Sequence, residues 1–233
     1  MAEPTVWTEP GHDCVLCPPL RFRFNVMADL PGESSVIARD GDFLLMPDIA
    51  PLREGHVLLV TRDHHMSAGE FGPRMWEGAL RWRDRVADLY RRAYGDGDLL
   101  LFEHGPATSQ GGGACIDHAH WHFLPGVSGV RTVVEERGHP GAPVDHAALR
   151  ELLRAGRSYL FIEEGGAATV HPGDGVQSQF LRWAVTAAGR DSTWRWQESF
   201  GLPASRSRFL HTLEDLRAAS SAQGEDQLPD SQR

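Results

Sequence analysis

Three histidines alternate with other residues in the stretch His118-Ala-His-Trp-His122. Successive side chains of a strand point to opposite faces of a sheet, so on a strand His118, His120 and His122 share one face. On a helix the same residues would spread over roughly 400° of rotation and could not converge. Neutral imidazole is a nucleophile and a metal ligand near pH 7. The spacing therefore predicts a strand with chemistry on one face.

A second group of chemical interest is the cysteine pair in Cys14-Val-Leu-Cys17, which is two of the three cysteines in the chain. The first residues, MAEPTVWTEP, show neither the basic region nor the apolar run of a secretion signal. We therefore expect a cytoplasmic protein, in which such a pair indicates metal or redox chemistry rather than a disulfide framework.

Length and charge limit the function. The chain has 233 residues, 41% of them apolar, and a formal net charge of −9. This length suits one ordinary domain plus a substantial extension, or two small domains. The negative charge argues against a broad nucleic-acid surface. Since no apolar run approaches the ~20 residues of a membrane span, we expect no membrane partner.

Residues 1–126 show strands in succession around one main helix. Ranges 35–39 and 43–46 flank a hairpin signal at Asp40-Gly41. The remaining elements predicted here are strands at 56–60 and 99–102, a helix over 69–94 that ends at Gly95, and the histidine strand after a glycine-rich loop. This order is an α+β pattern.

Residues 127–220 form a predicted C-terminal extension of strands and helices. The elements expected in it are strands at 131–134 and 159–162 and helices at 145–156, 177–188 and 206–219. Asp145 is the expected cap of the first of these helices. The polar residues 221–233 are predicted to be a disordered tail.

The stretch His-Ala-His-Trp-His-Phe-Leu matches the His-φ-His-φ-His-φ-φ motif of the histidine triad (HIT) superfamily. Residues 40–65, DGDFLLMPDIAPLREGHVLLVTRDHH, also resemble that family in the order of strand, Asp-Ile, Pro/Gly loop, Gly-His and second strand. With the cysteine pair, the similarity covers residues 14–125. The resemblance implies a HIT-like antiparallel sheet with a main helix, followed here by a C-terminal α/β extension.

The resemblance also implies a reaction. His120 matches the nucleophile that forms a nucleotidyl-histidine and expels a leaving group, after which water or another acceptor takes the nucleotide. His122 and His56 match residues of the phosphate site, and Asp48 matches the carboxylate that contacts the ribose hydroxyls. The alternative for Asp48 is a loop-capping role. Histidine rather than glutamine at position 122 favours the hydrolase-like branches without excluding a transferase.

Two segments depart from the usual family pattern. Gly112 and Gly113 are expected to bring backbone N–H groups close to an anion. Ala114 and Cys115 stand where many members have Gln-Ser; the Cys115 thiol is a weaker donor to phosphate than a hydroxyl, or it is a small buried residue. Similarly, Glu103-His104-Gly105 replaces the common Asn-Glu-Gly. Glu103 and His104 are therefore candidate contacts of the substrate or leaving group.

A zinc-bearing subset of the family completes a CxxC site with two histidines. The matching positions are Cys14, Cys17, His64 and His118, which implies a structural Zn²⁺. His65 is a rival ligand, and the alternative is a free or redox-active cysteine pair.

The extension carries no motif that we can assign to chemistry. Arg182 and Gln179 are interpreted as solvated helix residues that could approach phosphate, and Trp194 and Trp196 as packing residues.

The sequence thus favours a nucleotide hydrolase or nucleotidyltransferase acting on a nucleotide or nucleotide conjugate. The alternatives are a nucleotide-binding regulatory protein with little turnover and a metalloenzyme that uses all three histidines as ligands. The resemblance suggests a homodimer, although the extension could instead cover that surface.

Overall fold

The computed structural model describes residues 14–18, 30–31, 33–108, 116–189 and 193–225, with only the backbone of 222–225. Within these ranges the chain forms one eight-stranded sheet with helices on its faces. The strands are β1 (Ala38–Arg39), β2 (Phe43–Pro47), β3 (Val57–Thr61), β4 (Leu99–Gly105), β5 (His120–Pro125), β6 (Ala142–Pro143), β7 (Tyr159–Glu164) and β8 (Ala167–Pro172).

The strand order is β1-β2-β3-β5-β4-β7-β8-β6, and every neighbouring pair is antiparallel. The predicted α+β class with an antiparallel sheet is thus confirmed. Strand β7 pairs along β4, from Leu101 opposite Glu163 to Gly105 opposite Tyr159. The C-terminal extension therefore continues the sheet of residues 1–126.

Helices cover both faces of this sheet. They are α1 (Pro73–Tyr94), α2 (Val130–Glu136), α3 (His146–Arg154), α4 (Phe180–Gly189), α5 (Trp196–Ser199) and α6 (Pro203–Glu225). No helix in the described part of the chain is long and apolar enough to cross a membrane.

Local signals account for three helix ends. Helix α1 begins with Pro73 and ends at Gly95, whose φ of 77° is the left-handed conformation common after helices. The Asp145 carboxylate accepts the Ala148 N–H at 2.9 Å, which confirms the predicted cap of α3.

Three expectations in the second half were wrong or incomplete. Residues 131–134 are helical rather than a strand, because Val130 and Val134 lie one helical turn apart and both are fully buried. Residues 221–225 belong to α6 rather than to a disordered tail, and 226–233 lie outside the described residues. Strands β6 and β8 were not predicted.

The sheet separates two apolar layers. On one face, Leu45, Leu59, Trp121 and Phe161 pack with α1 residues such as Val86. The opposite face packs against α2 and α4; this layer contains Leu100, Phe102, Val134, Leu160 and Leu181. Because neighbouring side chains alternate, the face of β5 that carries His120 and His122 is the one opposite Trp121.

Candidate functional site

The central strands of the sheet position the histidines. In the register, His122 lies opposite Leu58 of β3 and Phe102 of β4. The Phe102 ring stacks on the His122 ring, with centroids 4.4 Å apart and an interplanar angle of 9°. His56 directly precedes β3, so its ring reaches His122 from the adjacent strand.

Hydrogen bonds fix where the protons of His56 and His122 lie. The Leu52 N–H donates to His56 Nδ1 at 3.1 Å, so the proton of neutral His56 is on Nε2. This Nε2–H donates to His122 Nδ1 at 2.9 Å. Neutral His122 therefore carries its own proton on Nε2, where it can donate to a ligand.

Burial favours these neutral forms. Removal from water lowers the pKa of His56 to about 3, although the nearby Asp48 carboxylate opposes the shift. Burial, with His120 and His56 alongside, also lowers the pKa of His122 well below its usual value. Both imidazoles are accordingly neutral at pH 7.

His120 has the opposite proton arrangement. Its Nδ1 lies 2.5 Å from the carbonyl oxygen of His118, which can only accept, so Nδ1 carries the proton. Burial lowers the pKa of His120, against the raising effect of this hydrogen bond and of Asp48. The neutral ring therefore presents an Nε2 lone pair, and the side chain is partly exposed.

Asp48 follows β2 and lies behind the histidine pair. Its Oδ1 accepts the Ala50 N–H at 2.7 Å, and its Oδ2 accepts from Arg182 Nη1 at 2.9 Å. Oδ2 is also 3.6 Å from His56 Nε2 and from His122 Nδ1. Burial alone would raise the pKa of Asp48, but Arg182 and His56 outweigh it and the net shift is downward. The carboxylate is ionised at pH 7.

Arg182 was missed as a site residue, and its interpretation as a solvated residue was wrong. It is 6% exposed, and besides Asp48 it donates to the carbonyl oxygens of Ala50 and Trp194. One signal could have indicated this position. On α4, Arg182 precedes the buried Val185 by three residues, which places it on the apolar face of the helix.

Four of the predicted metal ligands come together. The ligand atoms of Cys14, Cys17, His64 and His118 all lie within 4.8 Å of one another. Cys14 Sγ and Cys17 Sγ are each 3.4 Å from His118 Nδ1, and Cys17 Sγ is 3.4 Å from His64 Nδ1. Tetrahedral zinc bonds to sulfur and nitrogen imply about 3.5 Å between such atoms. The group could therefore hold a metal such as zinc.

Neighbouring contacts support this ligand set. His118 Nε2 lies 2.9 Å from the Thr61 carbonyl oxygen, so the ring proton is on Nε2 and Nδ1 is available to a metal. Cys14 and Cys17 are not joined in a disulfide. His65 lies instead beside Glu70 and against Phe71, away from the four ligands.

The three triad histidines do not form one metal site. A second possible ligand group in the described chain is Asp48, His56 and His122, which lacks His118 and His120. The Arg182 guanidinium already neutralises the carboxylate of that group. A cation there would face an adjacent positive charge, which disfavours its binding.

The remaining predicted contacts are placed as follows. Glu103 is a core residue on the face opposite the triad, since its two carboxylate oxygens accept the Ala68 N–H at 2.9 Å and the Tyr159 hydroxyl at 2.7 Å. This placement corrects its expected role as a substrate contact. His104, the next residue, lies on the same sheet face as Phe102 and the triad. Gly112, Gly113 and Cys115 lie outside the described residues.

Comparisons with known proteins give structural neighbours only. No protein-family model matches the chain. No curated protein matches it either. A HIT family hydrolase from Clostridium thermocellum is 21% identical, with a TM-score of 0.35, over 51% of this chain and 94% of that one.

Two other solved structures are similar to comparable extents. A hypothetical histidine triad nucleotide-binding protein from Sulfolobus tokodaii is 17% identical over 58% of this chain and 90% of its own, with a TM-score of 0.37. A yeast Ap4A phosphorylase in complex with AMP is 15% identical over 57% of this chain and 56% of its own, with a TM-score of 0.36. HIT-family structural neighbours thus extend over about half of the chain.

Proposed function

We propose that the protein is a nucleotide hydrolase that cleaves a phosphoanhydride, phosphoramidate or related bond to a nucleoside monophosphate, with nucleotidyl transfer as a variant of the same reaction. The observation that carries this proposal is the hydrogen bond from His120 Nδ1–H to the His118 carbonyl oxygen. It leaves the Nε2 lone pair free for attack on phosphorus. The HIT motif, and neighbours named as a hydrolase, a nucleotide-binding protein and an Ap4A phosphorylase, support the same reaction class.

The proposed step is a displacement at phosphorus. The His120 Nε2 lone pair forms a P–N bond while the bond to the leaving group breaks, and the leaving group departs with that electron pair and takes up a proton. Water then attacks phosphorus, loses a proton and releases the nucleoside monophosphate, which restores neutral His120. His122 Nε2–H is the donor proposed to stabilise the phosphoryl oxygens, with His56 holding its tautomer. Ionised Asp48 favours the positive charge that His120 acquires on attack.

We further propose that Cys14, Cys17, His64 and His118 hold a structural zinc ion. Zinc at this site would hold His118, which lies two residues before β5. It would thereby fix the start of the strand that carries His120. Leu16, between the cysteines, is fully buried with Met46, Leu58 and Val60 and fastens the turn to the sheet. A homodimer and a cytoplasmic location stay predictions.

Mass spectrometry of the intact protein tests the reaction. After incubation with dinucleoside polyphosphates, nucleoside phosphoramidates and nucleotide sugars, and quenching at alkaline pH, where the P–N bond survives, we expect one nucleotidyl adduct on the wild type and none on His120→Ala. His139→Ala is the control, because this histidine lies in the extension, where its ring Nδ1 bonds to the Pro172 carbonyl oxygen. It should form the adduct normally.

Other outcomes would indicate the alternative functions. Neither adduct nor mononucleotide across the panel contradicts the proposed reaction. Tight nucleotide binding without either product would indicate a regulatory binding protein. Turnover that a chelator abolishes, without a His120 adduct, would indicate a metalloenzyme.

A further inference from the structure

A buried ion pair joins the C-terminal extension to the triad. Arg182 of α4 and Asp48 after β2 contact each other at 2.9 Å, and their side chains are 7% and 6% exposed. Arg182 is held from three sides, because it also donates to the carbonyl oxygens of Ala50 and Trp194. A residue solely needed for surface solubility would not be fixed in this way.

We propose that Arg182 is a positioning residue of the triad: by pairing with Asp48, it commits this carboxylate to the His56–His122 pair and removes it from recognition of a ribose diol. The positioning role rests on contacts within the chain. The consequence for the substrate rests on the proposed function as well.

The contacts of Asp48 leave little room for a ribose. To hold a diol, a carboxylate must present oxygens that face an open pocket. Here Oδ1 accepts from Ala50 and Oδ2 from Arg182, and the side chain is almost fully buried. The side that remains lies against His56 and His122, each 3.6 Å from Oδ2. The contacts of Asp48 are therefore made within the protein, with Ala50, Arg182 and the histidine pair, rather than with a ligand.

Arg182 also determines whether His56 and His122 stay neutral and which ring nitrogen of each carries the proton. The charged and titratable groups of the described chain that act on the pair are Asp48, Arg182 and His120. Without the guanidinium, Asp48 would be an uncompensated negative charge beside two imidazoles and would draw a proton onto one of them. If that proton were on His122 Nδ1, this atom could no longer accept from His56, and the arrangement that presents His122 Nε2–H would be lost.

Nitrogen NMR of the full-length protein with ¹⁵N-labelled histidine tests the positioning role. At pH 7 we expect wild-type His56 and His122 to be neutral, with the proton on Nε2. In Arg182→Met we expect one imidazolium in the pair, whereas Asp48→Asn combined with Arg182→Met should restore two neutral rings. Arg131→Met is the matched control, because Arg131 also lies in the extension and donates to carbonyl oxygens, of Glu164 and Ala167. It should leave the signals of His56 and His122 as in the wild type.

The outcomes of this experiment are distinct. Wild-type tautomers in Arg182→Met would overturn the positioning role. If that variant does not fold, Arg182→Lys decides: it keeps the charge, so retained neutral tautomers support the proposal and an imidazolium overturns it.

Kinetics of the wild type test the consequence for the substrate. We compare adenosine 5′-phosphoramidate with its 2′,3′-dideoxy analogue and expect kcat/KM values within about 10-fold of each other, since a site built to bond the missing hydroxyls would discriminate by about 10⁴-fold. A larger difference than 10-fold overturns this part of the inference. Absence of turnover with both compounds counts against the proposed function, and the NMR result then decides the role of Arg182 alone.

Discussion

At the scale of single residues, three identical side chains acquire different chemistry from the atoms that face them. The carbonyl oxygen of Thr61 leaves Nδ1 of His118 available, and that of His118 leaves Nε2 of His120 available. His56 instead donates to Nδ1 of His122 and leaves a proton on its Nε2. One ring is thus suited to bind a metal, one to attack and one to donate.

A comparison of substitutions at the adjacent residues His64 and His65 tests the metal site. We expect His64→Ala to lose bound zinc and to unfold at a lower temperature, because removing one of four ligands opens a structural site. His65→Ala is the matched control and should retain one zinc ion per chain. Metal analysis of the purified variants makes the comparison, and equal zinc contents would contradict the ligand assignment.

The buried carboxyl of Glu103 makes stability depend on pH. Burial raises its pKa from 4.5 to about 7, against the hydrogen bonds from Tyr159 and Ala68. Between these values the unfolded chain releases the proton and the folded chain keeps it. The stabilisation is therefore fully present below pH 4.5 and is lost as pH rises to about 7, a change of about 3 kcal/mol.

Glu103→Gln should remove this contribution. Urea unfolding at pH 5 and pH 7.5 measures it, and we expect the wild type to lose more stability than the variant between the two values. Glu77→Gln, at an exposed position on α1, should behave as the wild type does. A Glu103→Gln slope equal to that of the wild type would show that the folded protein does not retain this proton.

The set of four cysteine and histidine ligands came from the family resemblance, whereas local spacing predicted that the three triad histidines share one face of a strand. Local spacing was insufficient for Glu103 and Arg182. The position of Glu103 depends on which face of β4 meets Tyr159, and that of Arg182 on how α4 docks on the sheet. Both are long-range contacts that a local pattern does not contain.

At the scale of elements, the pairing of β4 with β7 depends on a close approach. Gly105 lies opposite Tyr159, whose hydroxyl bonds to Glu103 and to the Gly69 N–H. A Cβ at position 105 would overlap the Tyr159 ring. Because these two hydrogen bonds hold the ring, it cannot turn aside without losing them.

We therefore expect Gly105→Ala to lower the free energy of unfolding by about 1–3 kcal/mol through overpacking. Gly41→Ala is the control, since a Cβ there would meet nothing within 4 Å. Urea midpoints of the two variants give the measurement. A Gly105→Ala midpoint equal to that of Gly41→Ala would mean that β4 and β7 can separate at no cost.

At the scale of the whole molecule, the two halves of the chain share one core. Leu216 and Ala219 of α6 belong to the same buried cluster as Phe43 and Leu45 of β2. The sheet edges of the described chain are β1 and β6, each two residues long, whereas β4 is covered by β7. The predicted homodimer would therefore form through a surface other than the outer edge of β4, which β7 covers.

Removal of a core side chain near the C-terminus should thus weaken the entire fold. Leu216 is fully buried, and we expect Leu216→Ala to cost about 2–5 kcal/mol in a single unfolding transition. Leu202→Ala, at a side chain that is 49% exposed, should change stability by less than about 0.5 kcal/mol. Near-ultraviolet and far-ultraviolet circular dichroism monitor the transition, and two separate transitions would contradict a shared core.

The sequence resemblance ends near residue 125, and this limits what could be predicted of the assembly. The five strands before that point follow from local alternation and turn signals. Strand β7 was predicted as a strand, but its place beside β4 was not. Pairing between distant segments depends on how the two segments fit together in three dimensions. The sequence of either segment alone does not predict it.

The strand order has a consequence for folding of the chain during its synthesis on the ribosome. Strand β4 is made before β5, yet one of its edges has no partner until residues 159–164 have been translated. For that interval the nascent chain displays an apolar strand with free backbone N–H and C=O groups, which is the kind of segment that associates with other chains. Slowing translation between β5 and β7 should increase the fraction of chains captured by chaperones, and synonymous codons are the means to do so without altering the finished molecule.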